Sequence, residues 1–250
     1  MALVGALRPS GLRRRLPWAL GHTNSMQLTC AVPNSIWNAQ QPLAFGPISI
    51  TTRMTVVRLR DGSLWVHSPI SPTRELIEEL RCLGTVRYVV APNKSHHLFF
   101  LAFLDAHPSA QGFIAPGLQL KRPDLVRFPQ MPNEAPWESE LQGFFIEGLP
   151  ILDETAWFHN ASGTLILTDL LFCFAEENRG IAAIVSRLLG VRGKLAMSRT
   201  MKLAIKDKHA LAKSVRPLLS LPVQTVIVAH DQIISEQAKS KLAEAFAWLQ

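Results

Sequence analysis

Cysteine is scarce: Cys30, Cys82 and Cys173 are odd in number and widely spaced, which excludes a disulfide framework and a cysteine-rich zinc module. That scarcity suits a reducing compartment. No apolar run approaches the ~20 residues of a membrane-spanning helix. The longest stretches are short, as from Leu98 to Leu104, so the reading is of a soluble, cytoplasmic protein. A glycine-rich phosphate loop and a serine-nucleophile elbow are both missing, which argues against nucleotide-driven and serine-hydrolase chemistry. Acidic residues are missing from Met1 to Ser25, where Arg8, Arg13, Arg14 and Arg15 supply +4 of the net +7 and leave an ordinary +3 for the rest. This leader has the composition of an organelle transit peptide, or of an irregular extension upstream of a start at Met26.

What is present is enough for one substantial core: 250 residues, 48% hydrophobic. Arg53 to Leu59, Asp61-Gly62 and Ser63 to His67 read as a β-hairpin, with alternating apolar residues on both sides of an Asp-Gly turn. Ser71-Pro72-Thr73 opens a helix from Arg74 to Leu83, whose Leu76, Ile77, Leu80 and Leu83 share a face, and Gly84 ends it. Further strands are expected at Val86 to Ala91, Gly112 to Ala115, Phe144 to Ile146, Thr155 to His159, Thr164 to Thr168 and Val223 to Ala229. A helix follows the first of these, from Leu98 to Ala106, and another closes the chain from Ser235 to Leu249. Pro116 to Pro136 reads as loop. The expected organisation is a basic extension over residues 1–34 and a single layered α/β domain over residues 35–250.

Between Arg179 and Arg216 lie ten Lys or Arg residues and one acid, Asp207, on what reads as two helices. Such a segment suits a phosphate-bearing ligand, an anionic membrane surface or an acidic partner, or else is a solvated helical face. No aromatic residue interleaves the charges, so a nucleic-acid stacking platform is not indicated.

The chemistry concentrates at strand ends. Val89-Val90-Ala91 runs through Pro92-Asn93-Lys94-Ser95 into His96-His97, where imidazoles can ligate a metal or simply mark a helix entry. Thr164 to Asp169 and Val226 to His230 also end apolar runs in potential ligands. Three strand ends thus offer His, Asp and His. Glu154, before the strand Thr155 to His159, reads as a solvated turn acid, or else as an acid that approaches the site. Cys173 reads as a small apolar residue, able to face the same cleft if its segment is helical; His67 and His107 carry no assigned role.

Arg53 to Leu59, His67-Ser68-Pro69-Ile70, Ala91-Pro92-Asn93, His96-His97-Leu98-Phe99 and Thr168-Asp169-Leu170, in that order, resemble the metallo-β-lactamase superfamily, and more closely an uncharacterised branch of it catalogued as a domain of unknown function. The resemblance runs from about Ser35 to the C-terminus and implies an αββα sandwich of two mixed sheets. Against the superfamily's His-x-His-x-Asp-His loop, His97 takes the last His and His96 the Asp position. Pro92 and Lys94 then fall on the first two histidines, where neither ligates in the usual way. The resemblance therefore implies one lost metal site, with His159 its remaining ligand, and one retained site of His96, His97, Asp169 and His230. Asp231 stands where the superfamily usually has glycine.

The implied protein is a metal-dependent hydrolase with one divalent transition metal, zinc or iron foremost, and a small-molecule substrate. The metal would lower the pKa of its water for attack on an ester, amide or phosphoester. Asp169 and His159 are the implied catalytic residues, and Lys94 the residue that holds an anionic substrate group. The alternative is a catalytically inactive scaffold that binds a ligand or partner, its four residues persisting as a polar cluster.

Overall fold

Residues 26–45, 48–131 and 135–249 are described by a computed structural model; the basic leader, residues 1–25, lies outside them. β1 (Thr29–Val32), β2 (Ile36–Phe45), β3 (Ile48–Arg58), β4 (Leu64–His67), β5 (Val86–Ala91) and β6 (Gln111–Ile114) form one sheet in chain order. The second sheet comprises β7 (Leu141–Phe145), β8 (Thr155–His159), β9 (Thr164–Ile166), β10 (Thr225–Ile227) and β11 (Ile233–Ile234). Both are mixed. In the first, β4, β5 and β6 run parallel and the remaining pairs antiparallel; in the second, only β9 and β10 are parallel. The helices are α1 (Arg74–Leu83), α2 (Phe100–Ala106), α3 (Leu118–Lys121), α4 (Gly180–Leu189), α5 (Arg199–Leu203), α6 (Lys208–Ser220) and α7 (Ala238–Phe246).

Alternation along the strands builds the layers, because successive side chains leave opposite faces. In β4, Leu64 and Val66 join the outer core with Leu76 and Leu80 of α1 and with Phe100 and Phe103 of α2, while Trp65 points into the layer between the sheets. In β10, Val226 packs with Leu211 and Val215 of α6 and Leu242 of α7, while Ile227 faces inward. Trp65, Trp137 and Trp157 meet in the inner layer with edge-on and tilted rings, filling the space between sheets. The result is the expected αββα sandwich.

The expected hairpin forms, with Arg58 opposite Leu64 and Gly62 in the left-handed conformation that its tight turn requires (φ 82°). Thr73 caps α1 by accepting from the Leu76 N–H at 3.2 Å. Several details differ from the sequence reading, among them β2 and β11, where no strand was expected. The first sheet starts at Thr29, ahead of Ser35, because β1 pairs with β2. The proline-rich stretch holds the short α3. The basic segment makes three helices, since Gly190 stops α4 at φ 76° and Ser198 caps a fresh start by accepting from the Met201 N–H.

One buried cation ties the sheets together. Arg53 of β3 is 3% exposed; its Nε donates to the Val228 carbonyl at 3.0 Å, and its other nitrogens donate to the Asn38 side chain and the Asp231 carbonyl. Burial lowers its pKa to about 10, against the opposing charge of Asp231, which leaves it protonated at neutral pH. Arg53→Met removes the donors and strands three acceptors. We expect a loss of about 3 kcal/mol or more in urea unfolding, with an unchanged denaturant slope.

Candidate metal centre

Parallel strands deliver their C-terminal ends to one rim, and that is where the chemistry-bearing residues collect. β5 leads into the His96 turn, β9 into Thr168-Asp169, and β10 into Ala229-His230. Because the two sheets face each other, ligands more than sixty residues apart in sequence converge. The Asp169 Oδ1 lies 3.3 Å from His96 Nε2 and 3.1 Å from His230 Nε2. Among the described residues, this is the one group of three that meets as a potential ligand cluster, its donor atoms all within 4.8 Å of one another.

A metal ion bound tetrahedrally at ~2.0–2.1 Å separates its ligand atoms by about 3.3 Å, so the two distances from Asp169 to the imidazoles suit one shared cation. Hydrogen-bond chemistry supports the fit. His230 Nδ1 sits 2.6 Å from the Thr51 carbonyl, to which it must donate. A neutral ring then turns the bare lone pair of Nε2 toward a carboxylate oxygen, which is repulsive. An acceptor on both sides of the ring therefore demands a cation at Nε2, either a second proton or a metal ion. His96 Nδ1 is held by the Ser68 hydroxyl at 2.7 Å, and the Phe172 ring stacks on His230 with centroids 5.3 Å apart.

Behind the cluster lies a second polar layer. The Asn93 side-chain nitrogen donates to Asp169 Oδ2 at 3.0 Å, to the Thr168 hydroxyl at 2.8 Å and to Glu154 at 3.1 Å, while its oxygen accepts from the Ser95 and His96 N–H groups. Glu154 accepts from the backbone N–H groups of Thr168, Asp169 and Leu170. Burial, helped by the charge of Asp169, raises the Glu154 pKa against these hydrogen bonds. For Asp169, burial works upward, but His96 and His230 outweigh it and hold the carboxyl well below the usual range. His96 is the converse: burial opposes its charging, and Asp169 with Glu154 overcomes this and raises its pKa.

The structure brings His96, Asp169 and His230 together, but not the other expected site residues. His97 lines the cleft outside the cluster, because adjacent residues of one turn point apart; its Nδ1 accepts from Arg122 at 3.1 Å. Burial and the neighbouring Arg122 and Lys121 push its pKa down to about 4. His159 is placed at the far end of the sheet: β8 is antiparallel to β9, His159 pairs with Thr164, and its ring bonds the Ser162 hydroxyl. It therefore cannot orient a group at Asp169. Lys94 is engaged elsewhere, 2.5 Å from Asp153 and donating to the Pro150 carbonyl, and it is Lys121 that borders the cleft.

Other readings also change. Glu154 is buried, not a solvated turn acid, because its carboxylate accepts from the backbone N–H groups of Thr168, Asp169 and Leu170. The segment after Asp169 is not helical, and Cys173 lines a separate depression beside Glu176 and Lys241. Asp231 adopts a left-handed backbone (φ 62°), the conformation glycine takes most readily, pinned by its carboxylate accepting from Ala175 N–H and the Asn178 side chain. Ser68, Thr51 and Asn93 were not singled out from sequence. Only Asn93 carried a local signal, an Asn two residues before the N–H it caps.

The cleft over the cluster encloses about 470 Å³ and is walled by Leu43, Ile50, Pro69, Leu98, Phe99 and Met201. Residues 33–246 match the family described as "Domain of unknown function (DUF4336)". No curated protein sequence matches the chain. Among solved structures, a metallo-β-lactamase from Pontibacter korlensis is 12% identical with a TM-score of 0.60, over 90% of this chain and 99% of that one. The DIM-1 metallo-β-lactamase, exposed to ceftazidime, is likewise 12% identical, with a TM-score of 0.58 over 90% and 97%. At this identity the likeness is one of fold.

Two predictions follow from the buried groups. Glu154→Ala leaves three N–H donors without acceptors and should cost about 3 kcal/mol, read as a lower urea midpoint. His67 is fully buried beside the cluster, and burial, with the positive His96 second, drives its pKa down to about 3. The unfolded chain takes up this proton from pH 6.5 downward while the native ring refuses it until about 3, so stability should fall across that window. His67→Leu should flatten the decline, measured as the difference in urea midpoint between neutral pH and about pH 5.

Proposed function

Since the chain belongs to the DUF4336 family and has the metallo-β-lactamase fold, we propose that it is a hydrolase using one divalent transition metal held by His96 Nε2, Asp169 Oδ1 and His230 Nε2. The observation that carries this reading is the Thr51 carbonyl on His230 Nδ1, which commits the other ring nitrogen to a cation shared with Asp169. Three protein ligands match catalytic sites, which keep a position open, rather than closed four-ligand structural sites. When bound, such an ion supplies Lewis acidity and lowers the pKa of water.

The chain's own residues do the rest. Thr51 and Ser68 set the orientation of the two imidazoles. Asn93 occupies Asp169 Oδ2, so that Oδ1 alone faces the histidines. The apolar walls take up an apolar body and exclude water, and the Lys121 ammonium at the edge pairs with an anionic group. The substrate class is therefore an ester, amide or phosphoester with an apolar portion and a negative charge. Neutral imidazoles with one carboxylate accept zinc or iron, and manganese as well.

Elemental analysis of the purified chain is expected to give near one equivalent of transition metal per chain. Asp169→Ala and His230→Ala should each lose it, and His97→Ala should keep it. Ser68→Ala should weaken affinity by roughly tenfold or more through the freed His96 ring. A wild-type chain that takes up no zinc, iron or manganese would leave an inactive binding scaffold in place of the enzyme.

A further inference from the structure

Amphipathic helices on a protein surface turn their bulky apolar side chains inward. α4 does the opposite. Ile181, Ile184 and Leu188, at helical spacing on one stripe, are 53%, 61% and 64% exposed, while Ser186 on the opposite side is buried and Ala182 and Ala183 are partly covered. The covered side, which also carries the half-buried Val185 and Leu189, faces β3, and among the described residues the ridge of Ile181, Ile184 and Leu188 has no partner. On α5, Leu203 is 86% exposed, although Met201 of the same helix lines the cleft.

Cations surround this ridge. Arg179, Arg187, Lys194 and Arg199 are exposed, and among the described residues no Lys or Arg from Arg179 to Arg216 forms an ion pair. Arg192 and Arg199 donate to backbone carbonyls, which leaves their charge unneutralised. Lys202 lies over the Trp248 ring, with Lys194 and Arg199 near enough to disfavour its charge after burial itself. Holding so many like charges together is unfavourable unless an anionic surface meets them.

We propose that the α4–α5 face docks on an anionic lipid bilayer, with Ile181, Ile184, Leu188 and Leu203 entering the acyl boundary and the flanking Arg and Lys meeting the headgroups. Each half of the pattern matches one half of such a membrane. A second copy of the chain would bring the same positive charge to the face. A polynucleotide would satisfy the cations and leave the ridge in water, with no aromatic residue on this segment to stack on its bases. None of these residues belongs to the metal cluster, so the inference stands apart from the proposed hydrolysis.

The test is co-sedimentation of the full chain with phosphatidylcholine vesicles and with vesicles containing roughly one-third phosphatidylserine. Binding is expected to the anionic vesicles only. Ile184→Ser with Leu188→Ser should reduce it by about tenfold or more, and Arg187→Glu with Lys194→Glu should do the same, both pairs keeping the wild-type thermal midpoint. The proposal is overturned if wild type stays in the supernatant or if the serine pair binds like wild type. It fails equally if polyglutamate or polyuridine is bound in preference to the vesicles.

Discussion

The structure is organised around the carboxylate of Asp169, which is held between the sheets by two imidazoles from one side and an asparagine amide from the other. A buried carboxylate is expensive, and without partners it would protonate or open the site. Here each oxygen is answered. Because His96 arrives from the first sheet and Asp169 and His230 from the second, the same contacts that satisfy the charge also hold the two sheets in register. Stability and the geometry of the cluster therefore depend on one set of bonds.

Glu154 makes this arrangement more demanding. A second buried carboxyl beside the first raises the electrostatic cost, and the protein offsets it with three backbone N–H donors and the shared Asn93 amide. That places the turn from Thr168 to Leu170 under the control of a side chain from another strand. Arg53 does the corresponding work beside His230, where its guanidinium holds the backbone around Val228 and Asp231. The left-handed conformation of Asp231 is sustained by these contacts in place of glycine's freedom. Apolar packing makes the layers, but buried polar groups set the position of the rim.

Much of this was legible in the chain. Period-two alternation around Asp61-Gly62, the Thr73 cap and Gly84 stop of α1, and strand runs ending in His96, Asp169 and His230 are local signals, and local physics honoured them. His97 and His159 were misplaced because a motif gives order along the chain and not direction in space. The turn sends successive side chains apart, and antiparallel pairing carries His159 away from Asp169. Glu154 looked like a surface acid because nothing within a few residues of it announces three distant N–H groups.

By itself, the sequence determined the layered α/β class, most strand and helix positions, and the three strand ends that lead into potential ligands. Each depends on periodicity, turn chemistry or residue type, which act over a few neighbours. Only the tertiary structure decided which histidine joins Asp169 and that Glu154 and Asn93 stand behind it. It also decided that Lys121, not Lys94, borders the cleft, and that Ile181, Ile184 and Leu188 of α4 face outward. Those outcomes depend on how the two sheets face each other, and burial and hydrogen-bond partners across that interface are properties of the assembled fold.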